Sequence, residues 1–291
     1  MRTRRIVMLA AASLATLLLA ATPALAQQSV PALSSAQVGQ IVASPDRSAA
    51  DRTNDLRRKP ELLLPFIDPR PGMTVLDVSA AGGYTSELLA RAVGPSGRVY
   101  GQSQPRGAAA APPPAQAEGN SHPTIAPAPA PAGAPRPSPV ALVDRDSKLR
   151  AGGIAAAPLI PIARPFADPL PPELASDRFD LVTLMFNYHD LGHMGVDRAA
   201  MNAAVFKALK PGGFYVIADH SGRPGTGISE AGTLHRIEES FLRQEVEAAG
   251  FKLVAEGSFL RNPNDPRDKN TPDPPQPKDE FVLKFVKPAG G

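Results

Sequence analysis

Four of the chain's five histidines sit in short polar segments behind apolar runs. His189 follows Asn187 and Tyr188 and precedes Asp190, with His193 close behind; His220 follows Asp219; His235 lies in Leu234-His235-Arg236. Histidine titrates near neutrality, so His189 or His220 reads as a general base, with Asp190 or Asp219 to orient it and His235 nearby. The opposing reading is that each imidazole only hydrogen-bonds backbone and holds a loop in place. A metal reading pairs His189 with His193, four residues apart, and brings in His220 and His235. Gly192 and Gly195 argue against a helix there, however, so the spacing does not assure a ligand set and no metal is expected. The other chemistry-bearing stretch is Val75-Leu76-Asp77-Val78-Ser79-Ala80-Ala81-Gly82-Gly83-Tyr84-Thr85, an apolar strand, a turn of small residues and a helix start. Such a turn lets backbone amides approach a ligand at the carboxyl end of a strand.

Both sets of residues must be held by a common scaffold. Residues 73–78 are apolar and β-branched, as a buried parallel strand should be. The pattern predicts a helix over residues 84–93, a short strand over 98–101, a short helix over 142–150 and a weak strand over 158–163. A strong central strand follows over 179–186, then a helix over 197–209 that stops at Lys210-Pro211-Gly212-Gly213, and a strand over 214–218. A helix over about 234–249 carries Leu234, Ile237, Phe241, Leu242, Val246 and Ala249 on one face. Strands over 251–259 and 280–286 close the chain with no helix between them. Strand–helix alternation ending this way implies an α/β fold with a mostly parallel sheet and an antiparallel last strand. In such a sheet the polar segments after successive strands converge on one rim, beside the small-residue turn.

The chain has 291 residues, 34 of them proline and none cysteine, which excludes disulfides, thiolate chemistry and cysteine-bound zinc. Basic side chains number 31 against 28 acidic, and the excess is Arg2, Arg4 and Arg5 alone. Without residues 1–26 the protein is neutral, which gives no electrostatic case for nucleic acid or an anionic membrane as partner. Those first residues read as a signal peptide: arginines, an apolar run over about 6–21, and Ala24-Leu25-Ala26 as a small-x-small cleavage site. An uncleaved anchor is the alternative, because the run approaches spanning length. Cleavage after Ala26 implies a periplasmic or secreted protein with no stable membrane association. Residues 27–48 read as a flexible leader and 49–66 as a helix broken at Pro60. Within residues 104–140, 11 prolines and 11 alanines fill 37 positions. That stretch buries too little to offset its ordering entropy, so it reads as a disordered insertion in one domain spanning 49–291.

From about Arg52 to Pro288, apart from the insertion, the sequence resembles the class I S-adenosylmethionine-dependent methyltransferases, and most of all predicted bacterial members that carry signal peptides. The resemblance rests on the turn over 79–84, on Leu209-Lys210-Pro211-Gly212-Gly213, and on Asn187-Tyr188-His189-Asp190, Asp219-His220 and Leu234-His235-Arg236. Glu247-Ala248-Ala249-Gly250-Phe251 and Phe281-Val282-Leu283-Lys284-Phe285 extend it. It implies a Rossmann-like seven-stranded sheet with helices on both faces, and S-adenosylmethionine as cofactor. Asp77, Ser79, Ala81, Gly82, Gly83, Tyr84, Ser103 and Asn187 would hold the cofactor, and His189, Asp190, His220 and His235 would serve catalysis on a small-molecule or exported acceptor. Two departures stand out. Ser79 and Ala81 replace the first and middle glycines of the family's loop, and residues 99–103 lack the carboxylate that usually takes the ribose hydroxyls. They leave a second reading: an exported domain of this type that has lost transfer chemistry and binds another ligand.

Overall fold

Leucine and valine on both faces of Thr74–Val78 (β1) require a cover on each side, and the computed structural model supplies it; the structure describes residues 31–105, 137–272 and 274–290. The other strands are Arg98–Ser103 (β2), Leu159–Ala163 (β3), Phe179–Met185 (β4), Leu209–His220 (β5), Lys252–Gly257 (β6) and Glu280–Val286 (β7). They form one seven-stranded sheet in the order β3-β2-β1-β4-β5-β7-β6. The first five run parallel, and β7 lies antiparallel between β5 and β6. The expected mostly parallel sheet with an antiparallel last strand is therefore what the chain forms.

Alternate residues of each strand face opposite layers. Leu76, Val78, Tyr215 and Ile217 pack with Arg198–Ala208 (α7) and Glu239–Ala248 (α9), through Met201, Val205, Leu242 and Val246. Val75, Val216 and Ala218 pack on the other side, with Pro60–Ile67 (α3), Tyr84–Val93 (α4) and Ser138–Ala151 (α5). Helices thus cover both faces.

Several elements differ from the sequence reading. Ser35–Ala43 (α1) is helical where a flexible leader was expected: Ser34 and Gln37 form a capping box, and Val38 is buried against Leu64 and Leu88. The break at Pro60 holds. Lys59 adopts a left-handed φ of 45° between Ala49–Arg58 (α2) and α3, and Pro60 opens the second helix, where its missing N–H costs nothing. α5 starts at Ser138, inside the segment read as an insertion, while 106–136 lie outside the described residues. Tyr188–His193 (α6) is helical despite Gly192. The expected last helix is two: Ala231–Leu234 (α8) ends at His235, φ 50°, and α9 starts only at Glu239. Between them Ile237 forms a bridge with Ser221, so its burial comes from extended chain rather than from a helical face. The signal peptide lies outside the described residues. No helix among the described residues is long and apolar enough to cross a membrane.

Candidate functional site

The chain leaves β1 toward β2 and β3 on one side and returns on the other with β4, which makes the carboxyl ends of β1 and β4 the topological switch point where open α/β sheets bind ligands. Residues 79–83 leave β1 there, and residues 186–190 leave β4. The turn keeps a glycine-type backbone without the glycines: φ is 59° at Ser79, 47° at Ala81 and 79° at Gly83. L-residues in this region carry a cost of roughly 1–2 kcal/mol each, so packing around the turn overrides local preference. A Cβ at Gly82 would meet nothing within 4 Å, whereas one at Gly83 would stand 2.9 Å from Leu142 and Arg145 of α5. The turn is therefore open at Gly82 and roofed at Gly83.

Arg145 is that roof. Its Nε donates to the Gly82 carbonyl at 2.6 Å, and its two terminal nitrogens fork onto Asp51 of α2 at 2.8 Å each. Burial opposes ionisation of Asp51, but the Arg145 fork outweighs it and holds the carboxyl below its usual range. Glu87 takes a further bond from Arg145. Beside this clamp lies a cavity of about 290 Å³ lined by Asp51, Asn54, Arg58, residues 79–82, Tyr84 and Met185, among others. Arg58 stacks on Phe186, its guanidinium carbon 3.5 Å from the ring centre. Its neighbours in the sequence are held as well: Arg57 pairs with Glu280 at 3.5 Å and Lys59 donates to the Phe259 carbonyl at 2.7 Å.

The expected cofactor residues fall unequally around this cavity. Asp77, Ser79, Ala81, Gly82 and Tyr84 border it. The Tyr84 hydroxyl is spent on Asp55, at 2.7 Å. Asp77 braces β1, accepting hydroxyls from Ser86 at 2.6 Å and Thr183 at 2.8 Å; burial pushes its pKa up to about 6, with those hydroxyls pulling the other way. Gln102 is occupied by the Ser79 amide and the Arg164 carbonyl. Ser103 ends β2 with its hydroxyl buried and without a partner among the described residues. Asn187 joins the two sides: it accepts the Ser79 hydroxyl and donates to Asp190 at 2.6 Å.

Three of the four histidines, His189, His220 and His235, come together behind β4 and β5. His189, 1% exposed, places Nδ1 2.6 Å from Asp219 and Nε2 3.2 Å from Asp190. His235 Nδ1 stands 3.1 Å from the same Asp190 oxygen. Burial resists a charge on His189, yet Asp219 and Asp190 prevail and push its pKa up to about 10. A ring with both nitrogens against carboxylates and a proton held this tightly is a poor general base, so that part of the sequence reading does not match the geometry. His220 is fully buried between Phe186 and His189, with Nδ1 3.0 Å from Glu280, and does not reach the opening. His193 is exposed and packs on Gly232, apart from the others. Asp190 and His235, 28% and 23% exposed in their side chains, are the polar groups of the cluster that face outward.

Sequence reasoning missed Asp51 and Arg145, although a signal was available. Arg145 lies three residues after Leu142 and four before Leu149, the two buried residues of α5, and so on its inward face. Arg236 was read only as part of a motif. It is fully buried, paired with Asp265 at 2.8 Å and donating to the Ser221 carbonyl, and it pins the loop between β6 and β7.

Comparison with known proteins gives a consistent picture. No family model matches the chain. A protein-L-isoaspartate O-methyltransferase of Aeropyrum pernix is 58% identical over 38 residues, a match that spans 13% of this chain and only 15% of that protein. Among solved structures, the 4+2 cyclase SpnF aligns with a TM-score of 0.50 at 16% identity, over 83% of this chain and 82% of its own. An S-adenosylmethionine-dependent methyltransferase from Aquifex aeolicus aligns over 82% of this chain and 99% of its own, with a TM-score of 0.48 and 15% identity. The strand order and the SpnF alignment give a Rossmann-like fold, a seven-stranded, mostly parallel sheet with its last strand antiparallel. A methyltransferase fold does not by itself fix a reaction, as a neighbour named for cyclisation illustrates.

Proposed function

We propose that this protein is an S-adenosylmethionine-dependent methyltransferase that acts on a small-molecule or exported acceptor. The observation that carries the reading is the turn over residues 79–83, which holds a glycine-loop backbone at the switch point although two of its glycines are absent. A strained backbone kept at such a place indicates a ligand that needs that shape. The residues present fit the cofactor. Gly82 is open to the cavity, the first-turn N–H groups of α4 lack intrahelical partners as at any helix start, and the Ser103 hydroxyl is a buried polar atom in want of one. When bound, S-adenosylmethionine supplies an electrophilic methyl group on a sulfonium. Residues 79–83 and the start of α4 would hold its polar end, Ser103 would meet a ribose hydroxyl, and Asn187 would connect this site to the acceptor side. Methyl transfer asks mainly for alignment of nucleophile and methyl group, which a rigid turn and a clamped helix provide.

Titration calorimetry of the full-length protein with S-adenosylmethionine and S-adenosylhomocysteine tests the reading. Micromolar binding supports it; absence of binding at millimolar ligand refutes it. The second reading, a domain that binds another ligand, draws on Arg145 being tied to the Gly82 carbonyl and on the missing ribose carboxylate. It predicts the second outcome. Export belongs to the same proposal and rests on residues 1–26: protein recovered from outside the cytoplasm should begin at Gln27.

A further inference from the structure

We propose that His189, Asp190 and His235 form a binding site for one divalent transition-metal ion of the zinc class, with a side open to solvent. Each of His189, Asp190 and His235 offers one ligand atom that lies within 4.8 Å of the other two, and His189 Nε2 and His235 Nδ1 both approach Asp190 Oδ1. The two distances to Asp190, 3.2 and 3.1 Å, have the value that metal ligands show among themselves: atoms about 2.1 Å from an ion and roughly 95–110° apart are about 3.1–3.4 Å from each other.

The surroundings are those of a metal centre. Asp219 accepts from His189 Nδ1 at 2.6 Å, so the nitrogen open to an ion is Nε2, whose proton the ion displaces, and metal-bound histidines almost always have such a carboxylate or carbonyl behind them. Asp219 is itself fully buried and also accepts the His189 amide at 2.8 Å, so the ring orientation is set by backbone. Asn187 donates to Asp190 Oδ2 at 2.6 Å and turns Oδ1 toward the two rings. His235 is held at φ 50°, a strained backbone that places its ring edge-on to His189, with centroids 5.6 Å apart. Two imidazoles and one carboxylate, with no thiolate, suit zinc, cobalt, manganese or ferrous iron. Three protein ligands leave coordination positions on the outward side, where Asp190 and His235 are exposed, for water or a substrate atom. Gly192 does not prevent this arrangement, because the ligand pair is not His189 and His193: the second histidine comes from the α8–α9 junction. The inference is independent of methyl transfer.

The test is cobalt and zinc binding to full-length protein first stripped with a chelator. One equivalent of Zn²⁺ should bind by calorimetry with a micromolar or lower Kd, and Co²⁺ should give visible d–d bands. His235→Ala and Asp190→Asn should each weaken binding at least about tenfold, and His193→Ala should leave it unchanged. If a variant unfolds by circular dichroism, the cobalt-loaded native protein decides: paramagnetically shifted N–H signals from two imidazoles are expected. No stoichiometric uptake, undiminished uptake by folded His235→Ala and Asp190→Asn, or shifted signals from fewer than two histidines overturns the proposal.

Discussion

The Ser79 hydroxyl donates to the Asn187 side-chain carbonyl, and the Asn187 amide donates to Asp190 at 2.6 Å. The turn after β1 and the histidine cluster after β4 are therefore one hydrogen-bonded chain, though 108 residues separate its first two members. A substitution at the turn should register at the cluster.

Ala81→Gly should stabilise the protein by about 0.5–1 kcal/mol, because relief of the left-handed strain exceeds the entropy that glycine adds to the unfolded chain. Ser79→Gly should gain little, since the same relief is offset by loss of the bond to Asn187, worth about 1 kcal/mol. Chemical denaturation of the two variants side by side checks the difference; equal gains would mean that the Ser79–Asn187 bond contributes nothing.

Ser103→Asp should tighten S-adenosylhomocysteine binding by about tenfold, because a carboxylate takes ribose hydroxyls better than a neutral hydroxyl does. Calorimetry reads this directly. Unchanged or weaker binding would show that the end of β2 does not face a ribose.

Arg145→Ala should cost about 2–3 kcal/mol, since it strands Asp51, whose side chain is only 4% exposed, as an unpaired charge. Asp51→Asn combined with Arg145→Ala should cost less than the arginine change alone. A double-mutant cycle by denaturant unfolding measures the coupling, and additive costs would contradict the clamp.

Arg236→Met should be more damaging, about 3–5 kcal/mol, because Arg236 and Asp265 are paired with side chains 0% and 1% exposed. Asp265→Asn added to it should recover part of the loss. Hydrogen exchange should show the loop between β6 and β7 opening first; an unaffected loop would place the role of Arg236 elsewhere.

Asp77 gives a pH signature. Its pKa of about 6 in the folded chain lies above the 3.8 of an unburied carboxyl, so the native state binds its proton more tightly. The stability it contributes is greatest below about pH 4 and is lost as pH rises toward and through 6, by up to roughly 2–3 kcal/mol. Asp77→Asn removes this term, so the stability of the native protein relative to the variant should fall between pH 4 and pH 7. A constant difference across that range would mean an ordinary pKa.

Much of the scaffold was legible because strand runs and helix periods are local. Tyr84–Val93 emerged with the expected bounds, and β4 within one residue. The helix over 234–249 misled because Ile237 is buried by pairing with Ser221, and a partner 16 residues back leaves no trace in periodicity. The leader misled in a similar way: α1 is short and built largely of small residues, and its helix is fixed only when Val38 meets Leu64 and Leu88. At the site, the convergence of His189, Asp190, His220 and His235 on one rim was foreseeable from their places after strands. Their roles were not, because role depends on which nitrogen faces which carboxylate.

By itself, then, the sequence determined the strand–helix alternation, the small-residue turn after β1 and the placing of polar segments at strand ends, all of which follow from patterns a few residues long. Tertiary structure alone decided the rest. It set the left-handed backbone at Ser79 and Ala81, placed Arg145 over Gly82, buried His220, and brought His235 to Asp190 across 45 residues. Each of these depends on distances between segments far apart in the chain, and such distances exist only once the sheet has assembled and both its layers are packed.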